Sequence, residues 1–274
     1  MSQSQTVGLL PFLKWAGGKS RLLAQYAPYL PRPEQIERYF EPFLGSAALF
    51  FQLRPGIAHL SDQNEQLVEV YQTVRDNVEG VIALLGHYEN ERDFYYQVRS
   101  QDPAGIPPTQ RTARFIYLNK TCYNGLYREN RRGQFNVPFG QYKRPKICDA
   151  PRLRAASQAL QGVDLRVADF DEAVSQTRPG DFIYFDPPYH PLSPTSSFTG
   201  YHRTGFTEAD QHRLATTFGR LAASGRRVLL SNSSTPLIHE LYAPFQKVDI
   251  SARRNINSNG HKRGPITELL IFAP

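Results

Sequence analysis

The stretch GDFIYFDPPY, residues 180–189, constrains this chain more than any other. The apolar run from Phe182 to Phe185, bounded by Gly180 and Pro187, reads as a buried strand, and the paired prolines forbid it to continue in a ladder. A strand of that kind belongs in a sheet covered by helices, and the flanking sequence supplies both partners. IERYFEPF at 36–43, AHLSD ending at Asp62, and RRVLLSNSS at 226–234 read as further short strands. SAALFFQL at 46–53 suits a helix start with Ser46 available as cap. NEQLVEVYQTVRDNVEGVIALL and FTEADQHRLATTFGRLAAS both carry helical spacing. Alternating strand and helix signals predict an α/β fold with parallel strands.

The middle of the chain breaks that alternation. Residues 90 to about 165 are polar, aromatic and loop-rich, centred on NGLYRENRRGQFNVPFGQYKRP. A segment of this kind between two halves of an α/β sheet reads as an insertion that meets the substrate. The expected organisation is a discontinuous catalytic domain, 1–65 with 165–274, around an inserted domain at 66–164.

Charge gives the first hint of a partner. The chain has a formal net charge of +7, and a basic surface attracts polyanions. The charge is concentrated: Arg128, Arg131, Arg132, Lys143, Arg144, Lys146, Arg152 and Arg154 lie between 128 and 154, against Glu129 and Asp149. A second cluster, Arg253, Arg254, Lys262 and Arg263, lies near the C-terminus. No stretch approaches the length of a membrane span, and the N-terminus lacks the pattern of a secretory signal. Two cysteines, Cys122 and Cys148, make neither a disulfide framework nor a cysteine-based zinc site, and the His residues show no ligand spacing. The expectation is a cytoplasmic, nucleoid-associated protein with no metal and no membrane partner.

Three motifs carry chemistry. Asp186-Pro187-Pro188-Tyr189 follows its strand directly, where open α/β sheets place their ligand crevices. Both prolines have fixed φ and no N–H, so the turn is stiff and presents the Asp186 carboxylate beside a proline carbonyl. Two adjacent acceptors suit an exocyclic NH2, which has two donors to satisfy. Accepting both N–H bonds of a base amine, whose lone pair is delocalised into the ring, favours a tetrahedral nitrogen and stabilises the charge that develops on it. Tyr189 offers a face for a flipped base. An ordinary strand-to-loop turn is the plain alternative for these four letters.

Phe12-Leu13-Lys14-Trp15-Ala16-Gly17-Gly18-Lys19-Ser20 invites a phosphate-loop reading, but that loop needs a glycine where Leu13 stands. Two glycines beside Trp15 and Lys19 indicate instead a close backbone approach, a flat surface and a cation for a carboxylate. Trp15 could equally be a core anchor. Glu41-Pro42-Phe43-Leu44-Gly45-Ser46-Ala47 is a strand–glycine–helix turn of the kind that brings a nucleotide cofactor onto a helix N-terminus. Asp62 ends the next strand about twenty residues on, where an acid commonly takes ribose hydroxyls.

Taken in order, these segments resemble the Dam-type (α-group) adenine-N6 DNA methyltransferases. The resemblance runs through KWAGGK at 14–19, EPFLGSAALFF at 41–51, Asp62, YLNKTCYNGLYRENRRGQFNVPFGQYK at 117–143, DPPY at 186–189 and RNINSNGHKRGPITELLI at 254–271. It implies a Rossmann-like sheet that binds S-adenosylmethionine, with an inserted, mainly helical target-recognition domain carrying a hairpin loop. By the same resemblance Trp15, Lys19, Phe43, Gly45, Asp62 and Asp186 line the cofactor pocket, with Asp62 on the ribose and Lys19 near the methionine carboxylate. Asp169-Phe170 resembles the pair beside the cofactor's adenine. Lys14, Tyr123, Asn124, Arg131, Arg132, Asn136 and Pro138 face double-stranded DNA. Arg132 is the expected reader of a guanine, since its paired donors fit O6 and N7, while Arg131 and Arg128 suit phosphate. The family often has a second glycine where this chain has Ala47, and a methyl set close to the cofactor there would cost affinity.

The expected reaction is direct attack by adenine N6 on the methyl carbon, with inversion and no covalent intermediate, and the hairpin resembles that of GATC-recognising members, which implies GATC as the site. A cysteine mechanism needs a Pro-Cys turn, and Cys122 and Cys148 follow Thr and Ile. A cytosine-N4 enzyme usually has Ser in place of Asp186; a glutamine or RNA methyltransferase carries an Asn-Pro-Pro-Tyr type loop; a silent DNA-binding module has no use for an intact DPPY. Monomeric action suits one base per turnover, and pairing with a restriction endonuclease is compatible with the motifs.

Overall fold

A computed structural model of the chain describes residues 9–130, 132–192, 205–253 and 265–273. Arg131 and the 254–264 loop, both named from sequence, lie outside the described residues.

Seven strands form one sheet: β1 Tyr39–Glu41, β2 Ala58–Asp62, β3 Asp164–Val167, β4 Phe182–Phe185, β5 Arg227–Ser233, β6 Gln246–Arg253 and β7 Pro265–Ala273. Their order is β3-β2-β1-β4-β5-β7-β6. The first five run parallel, as their helical crossovers require. β7 is antiparallel to both β5 and β6, an edge that the expectation of parallel strands did not describe. The alternation signal described only the strands joined by helices and could not report this edge.

Alternate residues of the central strands enter two apolar layers. Tyr39, Leu60, Phe182 and Tyr184 join one core with Leu67, Val70, Tyr95, Phe115 and Leu153. Phe40, Ile183, Phe185, Val228 and Leu230 join the other with Leu214 and Phe218 of the Glu208–Ala223 helix. That is why the 182–185 run is apolar at every position. The first core is continuous from the sheet into the helices between β2 and β3.

Local chemistry explains most element boundaries. The helical stretch after Asp62 is two helices, Glu65–Asp76 and Val78–Leu85. Asn77 divides them because its side chain accepts from Gly80 N and caps the second. Thr207 and Asp210 form a capping box at the head of the Glu208–Ala223 helix. Ser46 does not cap: the helix after β1 is Ala48–Leu53, and Ala47 holds the N-cap in the left-handed region at φ 53, with no side-chain bond. The polar middle of the chain contains helices Arg92–Ser100, Pro108–Thr121 and Ala150–Ala159. Their periodicity is obscured by polar residues turned inward. Arg114, for example, is buried and donates to Val98 O and Arg99 O at 2.9 and 2.8 Å, satisfying carbonyls at the end of the neighbouring helix.

Residues 121–140 double back through two isolated antiparallel bridges, Cys122 to Phe139 and Glu129 to Phe135. Among the described residues no helix is long and apolar enough to cross a membrane.

Candidate active site

The chain reverses its direction across the sheet between β1 and β4, and the C-terminal ends of parallel strands at such a point frame a crevice. Four sequence-predicted segments arrive there on adjacent strands. Phe43 and Gly45 follow β1, Asp62 ends β2, Asp169-Phe170 follow β3, and Asp186 follows β4.

Gly45 stands at φ 46, and a Cβ there would lie 3.0 Å from Trp15 Cδ1, so the glycine lets the turn close against the indole. Trp15 stacks on Tyr127 with ring centroids 5.6 Å apart. The buried Asp62 accepts from Gly45 N at 3.3 Å and from Asn64 N at 3.0 Å, tying the glycine turn to the end of β2. Phe43 stacks on the buried Phe170 at 5.6 Å and meets Phe206 edge-on at 5.7 Å, forming an aromatic cluster beside the strand ends. Asp169 is gripped by both Arg213 nitrogens, at 2.6 and 2.8 Å, which holds its carboxyl below the usual range. It also accepts from Gln63 Nε2 at 2.6 Å and caps the short helix Phe170–Ala173.

Lys19 is only 2 % exposed, and its Nζ lies 2.8 Å from Asp186 Oδ1. Burial works against its charge, but the carboxylates of Asp186 and Glu268 override it and raise the ammonium's pKa. The same ammonium sits 4.7 Å from the centroid of the Tyr189 ring. Tyr189 OH donates to Glu268 Oε2 at 2.8 Å, and Ser231 Oγ donates to Asp186 Oδ1 at 2.7 Å. Glu41, buried under this cluster, has its carboxyl pushed up to about 8 by burial. Pro188's carbonyl accepts from Gln211 Nε2 at 2.9 Å. Glu268, Ser231 and Gln211 were not singled out from sequence, and Glu41 only as the head of its glycine turn. One signal was available: Ser231-Asn232-Ser233 are polar residues at the buried end of an apolar strand.

Ala47 is 1 % exposed, so its methyl does not line an open crevice. Its cost falls on the backbone, where the left-handed region disfavours an L-residue by about 1–2 kcal/mol. Replacement by glycine relieves that strain while adding about 0.4–1 kcal/mol of unfolded-chain entropy. The substitution also removes a buried methyl worth about 0.8 kcal/mol, so Ala47→Gly is expected to leave stability within about 0.5 kcal/mol of wild type in urea unfolding.

Of the positions predicted to face DNA, Tyr123, Asn124, Arg132, Asn136 and Pro138 lie within the 121–140 excursion. Tyr123 is 52 % exposed, whereas Tyr127 is buried against Trp15 and Phe115, which makes it packing rather than a contact surface. Asn124 takes φ 56, and the adjoining Gly125 leaves room for the Lys14 chain, whose Cδ would lie 2.5 Å from a Cβ there. Asn136 Oδ1 accepts from Arg128 Nε at 2.7 Å. Pro138 O accepts from Tyr123 N at 2.8 Å, and the exposed Arg132 donates its backbone N–H to Asn130 Oδ1 at 2.9 Å. Beside Lys14 a cavity of about 450 Å³ is lined by Lys120, Tyr142, Lys143, Arg144, Lys146, Asp149 and Arg152. Lys120 is pushed down to about 8 by burial and by the neighbouring cations, Lys14 and Arg152 foremost.

Cys122 is buried and its thiol is pushed up to about 12 by burial, which leaves no thiolate for nucleophilic chemistry at neutral pH. Among the described residues no group of three or more His, Cys, Asp or Glu could hold a metal ion.

Known proteins place this arrangement. The chain is 43% identical to "Type II methyltransferase M1.LlaDCHI" of Lactococcus lactis subsp. cremoris, covering 98% of this chain and 97% of that one. It is 40% identical to "Type II methyltransferase M.MjaIII" of Methanocaldococcus jannaschii, over 96% of this chain and 98% of the relative. The "DNA adenine methylase" of Escherichia coli (strain K12) is 36% identical over 95% of this chain and 94% of its own. Residues 15–256, from the stacked indole through β6, match the family description for D12 class N6 adenine-specific DNA methyltransferases, and with a DPPY turn beside a glycine crevice at its centre, the chain belongs to that family.

Proposed function

We propose that this DNA adenine methyltransferase moves the methyl group of S-adenosylmethionine to N6 of an adenine flipped out of double-stranded DNA, within GATC. One observation carries the reading: Trp15, Gly45, Asp62 and Asp186 converge at the switch point between β1 and β4. The crevice suits the cofactor, because the indole lies close over a glycine that admits no side chain, an acid ends β2, and Phe43 and Phe206 supply apolar ring surface. When bound, S-adenosylmethionine supplies a methyl group on a sulfonium. Asp62 takes the ribose, Asp169-Phe170 and Phe43 lie beside the adenine ring, and Lys19 marks where the methionine end meets the catalytic loop.

The chain's own residues do the rest. The Asp186 carboxylate and the Pro187 carbonyl accept the two N6–H bonds of the target, pyramidalising the nitrogen and bearing its developing charge. Tyr189 stacks on the flipped base. The inserted segment 66–164 recognises the target together with Lys14: Lys14, Tyr123, Asn124, Asn136 and Pro138 face DNA, Arg131 and Arg128 hold phosphate, and Arg132 reads guanine. The basic cavity beside Lys14 follows the backbone. Monomeric action in the cytoplasm, with a restriction endonuclease as companion, goes with this reading.

Tritiated S-adenosylmethionine incubated with duplexes that contain or lack GATC tests it. Label should reach adenine N6 in the GATC duplex, and treated DNA should resist a methylation-sensitive GATC nuclease. Absence of label from adenine in every duplex overturns the reading; label on adenine without nuclease protection overturns the GATC assignment alone.

A further inference from the structure

Two prolines leave the turn between Asp186 and Tyr189 without backbone N–H groups of its own, so its shape must be held from outside. Two buried amides do this. Gln211, on the Glu208–Ala223 helix, is 2 % exposed, and Asn232, on β5, is fully buried. Asn232 Oδ1 accepts from His190 N at 3.1 Å and from Ser233 N at 2.8 Å. Two backbone donors on that atom fix which end of the amide is oxygen. Its Nδ2 therefore faces Gln211 and donates to Oε1 at 3.0 Å. That in turn leaves Gln211 Nε2 for the Pro188 carbonyl, at 2.9 Å. Ser233 Oγ completes the frame by donating to His190 O at 2.6 Å. The carbonyl before Tyr189 and the N–H after it are thus both held by one amide pair.

We propose that Gln211 and Asn232 are positioning residues that choose the acceptor for the target amine: by occupying the Pro188 carbonyl they leave the Pro187 carbonyl to act beside Asp186. The inference rests on the reading of the DPPY turn as the amine acceptor. It assigns the second proline a structural task and the first a chemical one, a distinction the four letters do not contain. The amide pair touches neither the glycine turn nor the basic cavity, so its effect belongs in the methyl-transfer step and not in binding.

The test compares Gln211→Leu and Gln211→Glu in the full-length enzyme. Single-turnover methylation of a duplex the wild type modifies is measured across pH, with cofactor and duplex affinities and Tm determined separately. Gln211→Leu should slow methyl transfer about 10- to 100-fold, the range for a sub-ångström to ångström misplacement of reacting groups, with both affinities close to wild type. Gln211→Glu keeps the acceptor toward Asn232 but has a donor for Pro188 only when protonated. It should be faster than Gln211→Leu and gain on it as pH falls. A Leu variant with the wild-type single-turnover rate overturns the proposal. So does a Leu variant slowed only in step with lost affinity or Tm, or a Glu variant no faster than Leu at any pH. If the wild type itself labels no adenine, the underlying reading fails instead.

Discussion

Asp186→Ala is expected to cut methyl transfer by about 10²- to 10⁴-fold, the range for removing a group that stabilises charge or handles a proton in the transition state. The carboxylate has two jobs in this structure. One oxygen, Oδ1, is engaged by Lys19 Nζ and Ser231 Oγ, which anchor the side chain at the end of β4. On the proposed reading, the carboxylate so oriented is what the turn presents to the target amine. Alanine removes the acceptor without touching the aromatic cluster at Phe43 or the exposed residues of the 121–140 excursion. In the folded variant duplex affinity should accordingly survive and cofactor affinity should change far less than the rate, while the loss of Lys19's partner lowers the unfolding midpoint. Single-turnover labelling beside separate binding titrations checks this, and a variant that still labels adenine at the wild-type rate would remove Asp186 from the mechanism.

Lys19→Met is expected to destabilise the protein by about 3–5 kcal/mol, the usual effect of removing one partner from a buried ion pair. Lys19 lies among Asp186, Glu268 and Glu41, with Tyr189 across it. Without the ammonium, Asp186 and Glu268 face each other in a site with little water, and methyl transfer should fall with stability because the Asp186 anchor is lost. A second change separates charge from packing. Glu268→Gln in the Lys19→Met background removes one uncompensated carboxylate while keeping an acceptor for Tyr189 OH, so part of the lost stability should return. Urea unfolding of both variants measures it. If Lys19→Met unfolds at the wild-type midpoint, the ion pair is not what holds this loop.

Several parts of the site were legible because they are local. A positive-φ turn at Gly45, an apolar run at Phe182–Phe185 and a rigid Asp-Pro-Pro each follow from the conformational limits of neighbouring residues. The acid at Asp62 was legible from its spacing beyond the glycine turn. Less legible were the features whose signal was mixed or non-local. Helix Pro108–Thr121 hid because Arg114 turns inward to a neighbouring helix's carbonyls. The β6–β7 edge hid because alternation with helices describes only crossover-linked strands. Ser46 was misread as a cap because the αL conformation of Ala47 cannot be seen in an alanine's letter.

By itself, then, the amino-acid sequence determined an α/β sheet, a glycine turn and a proline-stiffened DPPY loop, all consequences of φ restriction and periodicity within a few residues. Tertiary structure alone decided what surrounds that loop. Lys19 reaches Asp186 from 167 positions away in the chain, Glu268 meets Tyr189 across 79 residues, and Gln211 finds Pro188 across 23. Those distances close because strand order sets β4 between β1 and β5 and brings β7 alongside. A buried charge or amide needs a partner wherever the fold can supply one, and only the folded chain says which residue that is.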